Sequence, residues 1–343
     1  MCIRDSLKPD EMVRIFLEAR RRGWCSGLFI TTGIPGRPVK VMDDLIAVLE
    51  SLRFKHRFAG YIHVKMVVGG DDAQIERITA LATRVSINLE APCGSTLKEI
   101  APEKDLSRTL VSLERSRAQV TQNQHEERAG RPRDPLAPGG VAGMTMQFVV
   151  GATRDTDRGI LETVSGLYRG GGIHHSHFSA FRPIRDTPLE NLAETPAVRE
   201  HRLYQADHLI RRYGFAHGEL AYANDGNLLL DLDPKVAWAL AHPERFPVEV
   251  GSATYEDLLR VPGIGPLSAR RLVSERTTTV FRGLSDLRKA GVITSRAGGF
   301  LTLSGRRLQE ARWTEQLNLW HRNGEESIGR RRTIYEFSPG TFR

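Results

Sequence analysis

A chain of 343 residues with 40% hydrophobic and 26% charged residues has the length of about two domains and the composition of a soluble globular protein with a sizeable core. It holds no apolar run of about 18 residues and no basic-then-apolar start, so neither a membrane span nor a secretory leader is expected. Three widely spaced cysteines, Cys2, Cys25 and Cys93, exclude a disulfide framework and fit a reducing, cytoplasmic setting.

In chain order, helical periodicity covers Pro9–Arg22, and a β-rich run, GLFITT, follows at Gly27–Thr32. A helix at Met42–Leu52 leads to a strand at Gly60–Val68, and a helix at Ala73–Ala82 to a strand at Arg84–Glu90. The same alternation continues with a helix at Leu106–Val120, a strand at Met144–Gly151, a helix at Asp157–Tyr168 and a strand at Gly172–Phe181. A further helix covers His201–Tyr213. Strands separated by helices of about 10–15 residues imply βα units and a parallel sheet, and five or more such units imply a barrel or a large part of one. Thr121–Gly143, rich in Gly, Pro and charge, reads as a mobile loop, and Ser179–Pro196 as a second loop. Residues 221–250 read as a linker and packing segment, and no internal repeat is visible.

Successive strand residues face opposite sides. Ile62, Val64 and Met66 therefore oppose Tyr61, His63 and Lys65, while Val85, Ile87 and Leu89 oppose Ser86, Asn88 and Glu90. Met146, Phe148 and Val150 oppose Thr145 and Gln147, and His175, His177 and Ser179 share a side. An apolar face suits covering helices, whereas a polar, titratable face on four strands reads as the wall of a ligand cavity, since buried polar groups need partners. The spacing of His175 and His177 is able to chelate, but no acidic or cysteine ligand stands near HHSH (His174–His177), so no metal is assigned there.

Several strings taken together resemble the radical S-adenosylmethionine (radical SAM) enzymes. These are SGLFITTGI (26–34), YIHVKMVVGG (61–70), VSINLEAPCGSTLKEIAPEKD (85–105), QFVVGATRDTDRGIL (147–161), FSAFRPIRDTPLE (178–190) and DPKVAWALAHPERFPVEV (233–250). With LLRVPGIG (258–265), the order is similar to DNA modification/repair radical SAM proteins that carry a C-terminal helix-hairpin-helix. The resemblance implies S-adenosylmethionine and a [4Fe–4S] cluster as cofactors, an electron donor, and DNA as partner. By the same resemblance, Thr31, Thr32 and Gly33 meet the methionine amino group, Ser86, Asn88 and Glu90 the ribose and carboxylate, and Val150 and Gly151 the adenine. His63 and Lys65 project into the same lumen and suit an anionic ligand. Glu90 also reads as a salt-bridge partner of Lys65 or Lys104. The family's C-x3-C-x2-C triplet is missing, and MCIRDS (1–6) has no place in the pattern and resembles a translated sequencing-adapter end. The chain is therefore expected to be a truncated fragment, inactive without the cluster motif, whose first strand and cluster loop lie upstream of residue 7.

The net charge of +8 is unevenly placed: from Gly251 on, 16 Lys/Arg face 9 Asp/Glu, against 33 and 32 in residues 1–250. A basic terminal module beside a near-neutral body reads as a polyanion-binding appendage. LLRVPGIGPLSARRLV (258–273) reads as two short helices around a Gly-X-Gly turn. Pro262, Gly263, Ile264 and Gly265 make the hairpin, the glycines permit close phosphate approach, and Pro266 suits the first turn of the second helix. Its amides favour an anion, and Ser268, Arg270 and Arg271 are placed to add contacts that position a backbone without reading bases.

The fold expected is thus α/β: a partial (β/α)6 TIM-like barrel over residues 7–220, then a small helix-hairpin-helix domain over 251–310 and a flexible basic tail over 311–343. The function expected is radical SAM chemistry on DNA, by base modification or repair. The alternatives are a non-catalytic nucleic-acid-binding protein and a radical SAM enzyme acting on RNA. An iron–sulfur helix-hairpin-helix glycosylase fits less well, because such enzymes are all-helical.

Overall fold

The computed structural model describes residues 7–33, 36–130 and 143–308. The adapter-like start at 1–6 and the basic tail at 311–343 lie outside the described residues. The chain divides into two compact units, Met1–Leu230 and Asp231–Arg343.

In the first unit, β1 (Leu28–Ile30), β2 (Ile62–Lys65), β3 (Arg84–Glu90), β4 (Met144–Val150) and β5 (Ile173–Ala180) pair in that order, all parallel. Each parallel step needs a crossover, and helices supply it. α1 (Pro9–Arg21) precedes β1, and α2 (Pro38–Glu50) and α3 (Asp72–Leu81) make the next two crossovers. α4 (Gly94–Ile100) and α5 (Leu106–Arg128) join β3 to β4, α6 (Asp157–Arg169) joins β4 to β5, and α7 (Ala197–Tyr213) follows. This is the α/β arrangement around a parallel sheet that the strand and helix pattern implies.

Local chemistry sets the element ends. α1 and α2 begin on Pro9 and Pro38, where the missing N–H costs nothing. α3 starts on a capping box, with Gln74 N donating to Asp71 Oδ1 at 2.8 Å and Asp71 N to Gln74 Oε1 at 3.1 Å. α5 corrects the loop expected from Thr121: it stays helical to Arg128, and only residues 131–142 of that segment lie outside the described residues. Gln119 and Gln122 are bonded to Asn123 and Glu126 one turn on, and the Gly and Pro that suggested a loop all follow Ala129.

The core lies on the outer side of the sheet. Val64, Ile87, Met146, Phe148 and Phe178 are buried there, as are Leu49 of α2, Ile78 of α3, Leu113 of α5, Val164 of α6 and Leu203 of α7. Each such side chain contributes about 1.5–3 kcal/mol by leaving water. Residues 221–230 belong to this unit rather than to a linker. The fully buried carboxylate of Asp157 accepts from Arg199 Nε and Leu228 N, both at 2.9 Å. Arg199 Nη2 reaches Asn227 Oδ1 at 2.8 Å, and Arg202 donates to Leu230 O at 2.8 Å.

The second unit begins with α8 (Pro234–Ala241), so residues 231–250 are not a linker either. Asp233 caps α8, Trp238 is buried, and Lys235 Nζ donates to Ile264 O at 2.6 Å. Then come β6 (Val248–Glu249), α9 (Tyr255–Arg260), α10 (Pro266–Glu275), α11 (Leu284–Lys289), α12 (Thr294–Ala297), β7 (Leu301–Leu303) and β8 (Arg306–Arg307). The three short strands form a small mixed sheet, so the module is not purely helical.

An internal repeat does exist here. α9–α10 and α11–α12 each turn on a left-handed glycine, Gly263 at φ +85° and Gly291 at φ +89°. Leu259 matches Leu287, Ile264 matches Val292 and Ala269 matches Ala297, all of them buried. Each turn packs on the other hairpin: Ile293 N donates to Gly263 O at 2.9 Å and Ser268 Oγ to Gly291 O at 2.7 Å. Few identities are shared, because burial constrains size and polarity rather than residue type.

Candidate functional site

Strand register assembles the polar face. Lys65, Ser86, Thr145 and His175 stand in one row across β2–β5, and Asn88, Gln147 and His177 in the next. His63 pairs with Arg84 at the end where the strands begin. The short side chains of Ser86 and Asn88, on the central strand, are buried among longer ones. His63 Nε2 bonds Ser86 Oγ at 2.9 Å, and Asn88 Nδ2 donates to Gln147 Oε1 and Glu90 Oε1, both at 3.2 Å. His175 and His177 meet through their Nε2 atoms at 3.1 Å, so one imidazole donates and the other accepts.

Burial pushes the His63 imidazolium down to about 4, helped by the positive field of Arg84. His175 also falls to about 4, through burial and then His177 and Arg84. Both rings are therefore neutral at pH 7. Burial lowers Lys65 as well, although Glu90 opposes the shift. His174 lies exposed on the opposite side of its strand.

At the carboxyl ends of the strands, Glu90 adopts φ +67°, and the β3–β4 register breaks between Asn88 and Glu90. A non-glycine residue in this region costs about 1 kcal/mol or more and marks a re-aimed side chain. The Glu90 carboxylate is held by Lys104 Nζ at 2.7 Å, with both side chains largely shielded from water. Lys104, not Lys65, is thus its ion-pair partner. Thr31, Thr32 and Gly33 follow β1; Thr32 Oγ1 donates to Gly33 O at 2.8 Å, and open space lies beside the Gly33 Cα. Val150 and Gly151 stand differently from the rest. Strand alternation turns Val150 to the helix side, where it is fully buried. At Gly151, φ +84°, a Cβ would meet Thr195 Oγ1 at 2.0 Å, and that hydroxyl donates to Val150 O at 2.9 Å. The Val150 side chain therefore points away from the polar face. Arg84 was passed over in the sequence, although its parity with Ser86, Asn88 and Glu90 places it on that face.

The hairpin of the second unit separates the expected phosphate contacts into two groups. Pro262, Ile264 and Ser268 are buried and pack within the module. Gly263 is needed by the module's own backbone, since a Cβ there would lie 2.6 Å from Ile293 O. Gly265, at φ −102°, opens α10 with no side-chain cap, so the first-turn amides lack a side-chain partner at the positive end of the helix dipole. Arg270 and Arg271 are exposed in the middle of α10. Beneath the turn, burial lowers Lys235 to about 7, against the pull of Asp233. Of the residues expected to meet a phosphate, Arg270 and Arg271 are thus exposed and Gly265 is half-buried.

Among the described residues no group of three or more His, Cys, Asp or Glu is arranged to hold a metal ion, and Cys25 and Cys93 are the described cysteines, both free. The described donor set does not fit a three-thiolate [4Fe–4S] cluster. No helix among the described residues is long and apolar enough to cross a membrane. No protein family matches the chain, and no curated protein does. Among solved structures, HydG, a maturase of the [FeFe]-hydrogenase, is similar at TM-score 0.44 and 14% identity, over 60% of this chain and 43% of that one. A radical SAM methyltransferase from Sphaerobacter thermophilus is similar at TM-score 0.40 and 17% identity, over 58% of this chain and 54% of that one. Both likenesses are partial, and the chain spans about half the length of the proteins it matches.

Proposed function

We propose that the protein is part of a radical SAM-type enzyme whose second unit docks on DNA through the phosphate backbone. The observation that carries the enzyme reading is the strained, anchored carboxylate of Glu90 at the carboxyl rim of a parallel sheet with a polar face. Functional residues of barrel-like folds sit at that rim. S-adenosylmethionine fits the groups present: the Thr31–Gly33 carbonyls and hydroxyls suit its ammonium, and Asn88 with Glu90 suits ribose hydroxyls. With a [4Fe–4S] cluster, that cofactor supplies hydrogen-atom abstraction. The described residues do not hold such a cluster, so the chain's own part is to bind and orient: Lys104 aims Glu90, Gln147 aims Asn88, and Thr195 closes the end of β4. Equilibrium dialysis of S-adenosylmethionine tests this. Glu90→Gln and Asn88→Ala should each weaken binding about tenfold, and wild-type protein that binds none overturns the reading.

A second reading, a nucleic-acid-binding protein without catalysis, is favoured by the missing cysteine triplet. Anaerobic iron–sulfur reconstitution of the chain with its upstream sequence restored separates the two. Cluster absorbance together with 5′-deoxyadenosine formation supports the enzyme, and the absence of both leaves the docking protein. For docking, the uncapped start of α10 at Gly265 would supply amides, and Arg270 and Arg271 about a turn further on would supply charge, to a phosphate. DNA affinity should fall steeply with salt, and an affinity that salt does not change rejects phosphate contacts.

A further inference from the structure

The polar face of the first unit carries more hydrogen-bond donors than its own bonds consume. Thr145 Oγ1 and Arg84 Nε are buried, and neither has a partner. Thr145 is fully buried, in the row between Ser86 and His175. A buried donor left unpaired costs about 1–3 kcal/mol, so two in one patch ask what they bind.

The two orphans share a surface. Strand alternation puts Lys65, Arg84, Ser86, Thr145, His175 and His177 on the same side of the sheet. Burial first, and then the Arg84 charge among other causes, depresses His63, His175 and His177. The nearby carboxylates are each paired, although Glu90 also acts on Lys65. Glu90 is committed to Lys104 and Asn88. Asp207 of α7, which acts on His177 from behind, is paired with Arg211 at 2.7 Å. What remains is a guanidinium, an ammonium, hydroxyls, and neutral imidazoles able to present one N–H each. Such a set recognises an oxyanion and would repel or fail to coordinate a cation.

We propose that Arg84, with the row Lys65–Ser86–Thr145–His175, binds an oxyanion of the phosphate class on the sheet face, as in a phosphate monoester. The site uses the middle of the sheet rather than the Glu90 rim, and it needs neither a cluster nor S-adenosylmethionine, so it stands or falls separately from the radical reading. A carboxylate shares part of this chemistry, and the probes tell the two apart.

The test is calorimetric titration of the whole protein with sulfate, deoxyadenosine monophosphate and methionine in turn, at fixed ionic strength. Sulfate and the nucleotide should compete for one site, and methionine should not displace them. Arg84→Gln and Thr145→Val should each weaken sulfate at least about tenfold, whereas His174→Ala, on the exposed side of β5, should leave it unchanged. Thr145→Val also guards against a trivial folding defect. An orphan hydroxyl replaced by a methyl of the same shape should leave the ligand-free protein as stable or more stable. A clear loss of ligand-free stability in Thr145→Val would reveal an internal partner for the hydroxyl and overturn the proposal. So would saturable binding of methionine in preference to the nucleotide, or sulfate binding indifferent to Arg84.

Discussion

The sheet face draws Lys65, Ser86, Thr145 and His175 from four strands separated by whole helices, whereas the hairpin holds Gly263, Gly265, Arg270 and Arg271 within one short stretch. The first surface exists only while register and distant anchors hold it. The second depends on backbone conformation at single residues. A dispersed site is therefore sensitive to remote polar anchors, and a local one to individual glycines.

This contrast makes graded predictions. The largest effect is expected at Asp157, which ties 225–228 to the first unit through Arg199 and Leu228. Asp157→Ala leaves the largely buried Arg199 without its carboxylate and should cost about 3–5 kcal/mol in urea unfolding. A loss below about 1 kcal/mol would mean that the segment is held otherwise. Next is Gly263→Ala, where φ +85° and a 2.6 Å approach to Ile293 O should cost about 2–3 kcal/mol. Gly265→Ala, in extended backbone, should cost under about 1 kcal/mol yet weaken DNA binding. Equal stability losses at the two glycines would erase the division between packing and ligand-facing positions.

Lys235 supplies a pH test of the same module. Its folded-state value, lowered to about 7, lies below the unfolded one of about 10.4. The unfolded chain then binds the extra proton between those values, so stability should rise as pH goes from about 7 towards 10 and be least below 7. Lys235→Met should flatten that rise, and an unchanged profile would point to another group. Smaller still, Arg270→Ala and Arg271→Ala should each reduce the salt slope of DNA binding by about 1, without altering sequence preference. Glu90→Gly relieves the strained φ but leaves the largely shielded Lys104 without its carboxylate, so a net loss of about 1–3 kcal/mol in urea unfolding is expected.

Much of this architecture is legible before folding. The five strands and the helices between them follow from alternating and helical periodicity, and Arg84–Glu90 coincides with β3 residue for residue. The Gly-X-Gly turn between α9 and α10 is equally plain. Segments that lack such periodicity misled. The end of α5 is polar throughout, and 221–250 divides between two units on the strength of buried Asp157, Arg202 and Lys235, whose partners are far away in sequence or are backbone carbonyls. The second hairpin escaped notice because it shares little with the first beyond Leu, Arg, Gly and Ala at matching positions.

Residue order alone specifies which side chains share a face of each strand, because alternation is a property of the backbone. It also specifies where a glycine turn opens a helix, because those preferences are local. Folding specifies which polar residues become neighbours. Register between strands set Thr145 beside Ser86 and His175, a bulge turned Glu90 to Lys104, and packing between the hairpins took Gly263 and Ser268 for the module's interior. Those outcomes depend on contacts between segments distant along the chain, which no local pattern encodes.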